Sequence, residues 1–354
     1  MAPGAEELAY SEVLHPGTTY RILFLFVVPA QLPAQSCSHR CENFKVQDEH
    51  LQLPPSLSDE TGPSNQTMPA KVTIEYSINF RLYEELLKGK DGEQSRPTKR
   101  LLQLGSLPLY IVPTRKERAP EFVPGHGPEC CQLGYDQLSP SPSSHHYYKW
   151  QGTKPIRKYR GLGMRLGRLS ASASQPPAIH LVRGDKQSAT ETIIKLDLEY
   201  ANSEKNHSAS SIFPPNILAD FTIESLTFFG CDEWHSFPEH VHPQYRHNNQ
   251  GVNVTKTASH KRDDLRVKWQ WQREEEESTS HRYTASVEKR VSLPKPPAGV
   301  DDIALVHTPS FHSCLVSRIY LLKINLCCSV GSGSGKLGSF SGPSLAVPLQ
   351  ICAE

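Results

Sequence analysis

The feature that most constrains this chain is a period of two. In Val72-Thr-Ile74-Glu-Tyr76-Ser-Ile78-Asn-Phe80-Arg-Leu82 every second residue is apolar and every residue between is polar. That alternation suits a strand with one wet face, because successive side chains leave a strand on opposite sides. Ile194 to Tyr200 and Leu265 to Trp271 repeat it. In Cys314 to Val330, Tyr320, Leu322, Ile324 and Leu326 share one face while Leu321 and Cys327 make the other partly apolar, the pattern of a central strand. Tyr20 to Val28, Leu101 to Val112, Phe221 to Phe229, Tyr283 to Val287 and Leu345 to Ile351 read as shorter strands, several bounded by Pro or Gly. No helix longer than about two turns is expected. The nearest candidate, Leu82 to Lys90, reads equally well as the end of a strand.

Leu53 to Pro69, Ser139 to His146, Ser203 to Pro215, Glu274 to Ser280 and Gly331 to Pro343 are rich in Ser, Gly, Pro or one charge sign. They bury too little apolar surface to offset chain entropy and read as loops. With 29 prolines and 22 glycines in 354 residues, ordered cores are separated by long connections. The Pro-rich stretch from Pro113 to Pro128 is the expected linker, placing a boundary near residue 120. Many strands, Pro/Gly turns and almost no helix predict an all-β fold of two β-sandwiches, residues 1–120 and 121–354.

Lys and Arg number 38 against 37 Asp and Glu, a net charge of +1, so no whole-molecule field gathers nucleic acid. The longest apolar run, Ile22 to Leu32, is too short to cross a bilayer and contains Pro29, so no transmembrane segment is expected. Glu6 and Glu7 stand where a secretory signal needs basic residues. A cytoplasmic location follows as the expectation. Nine cysteines, including the adjacent pairs Cys130-Cys131 and Cys327-Cys328, make a poor disulfide framework and read as free thiols. The sequons at Asn65, Asn206 and Asn253 are then chance matches.

Phe24-Leu-Phe-Val-Val-Pro29, Leu32-Pro33, Cys37-Ser-His39-Arg-Cys41 and Leu51-Gln-Leu53-Pro-Pro-Ser-Leu57, followed by Ile74 to Leu82, resemble the strand-loop-strand core of the N-lobe of fungal arrestin-like proteins. Leu162 to Leu169 followed by Gln175-Pro-Pro-Ala, then Phe311-His-Ser-Cys314-Leu-Val-Ser-Arg318-Ile-Tyr320 and Val347 to Ile351, resemble middle and closing strands of the C-lobe. The resemblance runs from about Tyr20 to Ala353 and is thin between Gly230 and Val300. It implies two arrestin-like sandwiches of immunoglobulin type, the first incomplete, because only about twenty residues precede the Phe24 element. A fragment, or an edge completed by a partner, is the corresponding expectation. It also implies a non-enzymatic adaptor without cofactor, linking cytosolic tails of membrane-protein cargo to a WW-domain ubiquitin ligase or trafficking machinery at plasma membrane or endosomes.

Candidate sites are weighed against that expectation. Leu107-Pro-Leu-Tyr110 fits a relaxed ligase-binding motif but sits in an apolar strand where Tyr110 reads as core, while His242-Pro243-Gln-Tyr245 lies in a polar loop. Lys154, Arg157, Lys158, Arg160, Arg165 and Arg168 form a basic run without an acid, suited to a phosphorylated tail or anionic lipid. The alternative from another class is a metal-dependent hydrolase around His240 and His242, with Cys231, His235, Glu239 and His247 nearby. Pro238 and Pro243 bracket that pair and argue for loop. Gly331 to Lys336 lacks the spacing of a phosphate loop. Cys37, His39 and Cys41 suggest a metal knuckle, yet no second ligand pair follows at zinc-finger spacing, so the stretch reads as a structural loop. Cys314 beside His312 reads as packing.

Overall fold

A computed structural model describes residues 25–59, 72–86, 98–117, 131–132, 149–157, 165–182, 190–202, 214–237, 250–272, 282–295, 307–330 and 338–354. Among these residues the fold is all-β apart from one α-helix and a 3-10 turn, and its sheets are not closed. In the first large sheet the order is β12 (Gln270–Gln272), β13 (Arg282–Ser292), β9 (Glu191–Asn202), β7 (Arg165–Ser174), β6 (Lys149–Arg157) and β5 (Cys131–Gln132). In the second it is β11 (Gln250–Asp264), β10 (Asn216–Gly230), β15 (Val316–Val330) and β14 (Phe311–His312), with β16 (Gly338–Leu349) also paired to β15. Every pair within these two sheets is antiparallel.

One hydrophobic cluster takes side chains from both sheets. Leu169, Leu196, Leu198 and Tyr200 come from the first; Phe221, Ile223, Leu322, Ile324 and Val347 come from the second. The alternation of β9 is the reason. Ile194, Leu196, Leu198 and Tyr200 are buried while Glu191, Ile193 and Lys195 face out. Strand β15 pairs with β10 on one side and with β14 and β16 on the other, and both its faces are covered at Leu321 and Leu322: Leu322 joins the shared core, while Leu321 packs with Leu226, Phe228 and Trp234. Gly167 is required by close approach, since a Cβ there would stand 2.6 Å from the Ala201 carbonyl oxygen and 2.7 Å from the Tyr200 ring.

The N-terminal elements are smaller. A 3-10 turn (Ala34–Ser36) precedes α1 (Phe44–Leu51), whose cap Asn43 accepts through its side chain from the Lys45 and Val46 amides, both at 3.0 Å. This helix was legible in principle from an Asn cap followed by Val46 and His50 one turn apart, its two buried residues. The segment from Leu82, read either as a short helix or as the end of a strand, is strand as far as it is described, in β3 (Tyr76–Leu86), which among the described residues pairs only with β4 (Thr98–Leu109). Strands β1 (Leu57–Asp59) and β2 (Val72–Ile74) form a second small pair, and β8 (Ile179–Leu181) runs parallel to β17 (Ile351–Ala353). Residues 110–117 tie these parts together. The Ser56 amide donates to the Ile111 oxygen at 2.7 Å, the Arg115 amide to the Ala353 oxygen at 3.0 Å, and the Arg115 guanidinium meets Glu49 at 3.3 Å.

Four sequence expectations change here. Leu25 to Val28 is not strand but irregular, with Leu25 90% and Val27 84% exposed. The loop expected from Leu53 contains β1, and that expected to reach Pro343 contains the start of β16. Leu265 to Trp271 keeps its alternation of burial as far as Trp269, Trp271 being 56% exposed, and becomes strand only at Gln270, because Arg262 and Arg266 adopt positive φ of 52° and 45° and turn the chain. Asp220 and Asp264 carboxylates accept from the Arg262 and Arg266 amides at 2.7 and 3.0 Å. Strand β11 was missed because it is an edge whose valines face outward: Val252 and Val254 are exposed while Asn253 is buried. The boundary near residue 120 lies outside the described residues.

His307 is buried, and its Nε2–H donates to the Pro294 oxygen at 2.9 Å. Burial is the main cause that lowers its pKa below the usual value, with the nearby Arg318 adding to it. The unfolded chain therefore takes up this proton first, near pH 6.5, and stability falls as pH drops below that value. His307→Gln keeps a donor but cannot titrate. Thermal unfolding followed between about pH 7 and 5 should show a shallower decline in this variant than in the parent.

Candidate functional site

The basic run is divided between two faces. Ile156 and Leu169 point into the core, and Lys154, paired with Leu169, lies on their side, where its Nζ donates to the Ser341 hydroxyl at 2.8 Å. Arg168 lies opposite Pro155 on the outer face, and Arg157 is paired with Arg165 across a bulge. Arg157 and Arg168 are exposed. Lys158 and Arg160 lie outside the described residues. So do His240, His242, Pro243, Tyr245 and His247, which carry the second ligase-motif reading and the hydrolase reading.

The first ligase-motif candidate is not buried as expected. Leu107 is 54% and Tyr110 48% exposed, although Leu107 to Leu109 are in β4 and Pro108 faces Ser77 across the ladder. The ribbon β3–β4 is amphipathic by sequence. Tyr76, Ile78 and Phe80 pair with Leu109, Leu107 and Gly105, so they line one face. That face stays open: Phe80 is 54% exposed. Leu104, on the opposite face, is 61% exposed.

Thiols and imidazoles from three distant segments converge at the other end of the N-terminal part. Cys37 closes the 3-10 turn, Cys41 follows four residues later, and α1 carries His50 into the same place on its last turn. Cys37 Sγ lies 3.7 Å from Cys41 Sγ, 3.6 Å from His50 Nδ1 and 3.3 Å from His39 Nε2. His50 Nε2 lies 2.9 Å from Nε2 of His312 on β14. The Cys314 thiol lies near those of Cys37 and Cys41, which act on it electrostatically. The loop after β10 completes the enclosure. The Glu42 amide donates to the His235 oxygen at 2.7 Å, His235 Nδ1 to the Arg40 oxygen at 2.7 Å, and the Trp234 amide to the Cys314 oxygen at 2.8 Å. Trp234 packs edge-on against Phe228 over the outer face of β10.

Burial sets the protonation of this cluster. It is the main cause that lowers His50 to about 4, aided by His39 and His235, and His312 to about 3, aided by His50 and Arg115. Burial likewise raises the Cys41 thiol to about 11 and that of Cys314 to about 12, the neighbouring thiols adding to it. Neutral imidazoles are the form that binds cations. The sequence reading stopped at Cys37, His39 and Cys41 because the next partner, His50, is brought back only by the helix. His312, Cys314 and His235 arrive through tertiary structure. Cys37, Cys41, Cys231, Cys314, Cys327, Cys328 and Cys352 are free thiols. Among the described residues no helix is long and apolar enough to cross a membrane. Compared with known families and curated proteins, the chain matches no family model and no curated relative.

Proposed function

We propose that the chain is an arrestin-like adaptor built on two β-sandwiches, which binds an extended cytosolic tail of a membrane protein and links it to ubiquitin-ligase or trafficking machinery in the cytoplasm. The observation that carries this reading is the β3–β4 ribbon, two long strands paired among the described residues only with each other, whose apolar face is open at Phe80 and Leu107. An extended peptide suits such a surface, since a free strand edge supplies backbone hydrogen bonds and alternate side chains supply specificity. The core shared between the two large sheets supports the sandwich part of the reading. The resemblance of Phe311 to Tyr320 and of Leu51 to Leu57 to arrestin-like motifs supports the choice of partner.

The test uses the full chain and inside-out membrane vesicles from its own cells. Chemical crosslinking should join the parent to cytosolic tails of integral proteins. Phe80→Asp with Leu107→Asp should cut that yield about tenfold or more, as expected when two apolar anchors are lost. Thermal stability should change little, because both side chains are exposed. Equal yield from the double variant contradicts the proposal. So does binding that survives proteolytic shaving of the tails, which would point to lipid.

A further inference from the structure

We infer that Cys37, His39, Cys41 and His50 form a closed, structural zinc site that folds residues 31–53 and docks them on β14 and on the loop after β10. The ligand atoms of these four residues all lie within 4.8 Å of one another. Zinc binds sulfur at about 2.3 Å and imidazole nitrogen at about 2.0 Å in a tetrahedron. Those lengths imply an S–S edge of about 3.8 Å and S–N edges of about 3.5 Å. The observed edges are 3.7 Å between the two thiols and 3.6 Å from each of them to His50 Nδ1. His39 stands near the fourth corner, its Nε2 at 3.3 Å from Cys37 and its Nδ1 at 4.0 Å from Cys41.

The chemistry around the ligands is consistent with a cation. A ligating imidazole usually donates its second N–H to an outer partner, which fixes the tautomer. His50 turns Nδ1 to the thiols and Nε2 to His312, a buried neighbour 262 residues away, at 2.9 Å. Nδ1 of His312 has no hydrogen-bond partner among the described residues, so that ring is held by packing and by His50. Two thiolates balance the charge of Zn²⁺, so the filled site places no net charge in an interior that would penalise one. Two soft sulfurs and two imidazoles in tetrahedral array select zinc over the oxygen-seeking divalent ions.

The fold also needs such a staple. The segment leaves and returns at a narrow neck, where Gln31 bridges Gln52 and the Leu32 amide donates to the Leu51 oxygen at 2.7 Å. Between neck and neck its buried apolar side chains are Cys37 and Val46. A core that small does not order twenty residues, and small units commonly rely on metals instead. Cys314 lies outside the group of four whose ligand atoms converge.

The full chain, produced without a histidine tag and purified under reducing conditions without chelator, should carry one zinc by plasma mass spectrometry. Cys37→Ser with Cys41→Ser should carry almost none. Cys314→Ser and the exposed Cys231→Ser should keep it. A parent chain that takes up no zinc on reloading, or a double serine variant that retains it, overturns the inference. Loss of zinc in Cys314→Ser overturns the ligand set. Since the double variant can fail to fold, the parent is also treated with a zinc chelator and followed by hydrogen exchange. The amides of Leu32 and Glu42 should exchange about tenfold faster or more, while those of β9 and β10 keep their protection. Unchanged exchange at Leu32 and Glu42 overturns it.

Discussion

Truncating Phe221 to alanine should cost about 3–5 kcal/mol of unfolding free energy, the loss expected when a fully buried phenylalanine is removed from a packed core. Phe221 is 0% exposed, pairs with Ile324 and His260 on either side, and projects into the cluster shared by both large sheets. Both sheets depend on it. Neighbours held by two hydrogen-bonded ladders cannot collapse into the space, so the cavity term adds to the lost transfer free energy. Natural domains are stable by only about 5–15 kcal/mol. The variant should therefore unfold at much lower urea with an unchanged m value. Val254→Ala, at an exposed position of edge strand β11, should stay within about 0.5 kcal/mol of the parent. Similar costs at the two sites would mean that the sheets are not packed on each other.

Arg318→Ala should cost about 3 kcal/mol, by a different mechanism. Its guanidinium donates to the hydroxyls of Thr227 at 3.3 Å, Ser225 at 3.2 Å and Tyr320 at 3.1 Å. Ser225 and Thr227 are each 1% exposed, so water does not replace the lost donor. Hydrogen bonds to a charged group are worth about 1.5–3 kcal/mol, and the buried Thr227 hydroxyl left without this donor adds its own penalty, while the Ser225 hydroxyl keeps its bond to the Thr255 oxygen at 3.4 Å. Tyr320 remains anchored to the Thr308 oxygen at 2.6 Å, which limits the damage. Arg318→Lys should recover only part of the loss, since an ammonium cannot reproduce a planar fork reaching three acceptors. Removing the guanidinium also removes one cause of the lowered His307 pKa. That histidine should then titrate higher in Arg318→Ala, a change visible by NMR.

The strands that read clearly from sequence are those whose alternation coincides with burial. Strand β9 sits between β13 and β7, and its inward Ile194, Leu196, Leu198 and Tyr200 are all apolar, so its alternation is legible. At the edge, β11 departs from that pattern, and Asn253 rather than Val252 turns inward. The Leu265 stretch shows the converse, since burial alternates there although backbone pairing starts only at Gln270. The Cys/His cluster was half legible. Cys37, His39 and Cys41 are visible as a local motif, but His50 depends on α1, and His312 on β14 and Cys314 just after it come from the far end of the chain. Spacing rules read ligands that are local in sequence and are blind to those supplied by topology.

The most direct measurement is X-ray absorption at the zinc K edge on the full chain. Two sulfur scatterers at about 2.3 Å and two imidazole nitrogens at about 2.0 Å are expected. This is the signature of Cys37 and Cys41 with His39 and His50. A shell of nitrogen and oxygen alone, or a chain without zinc whose Cys37 and Cys41 are joined as a disulfide, would contradict it.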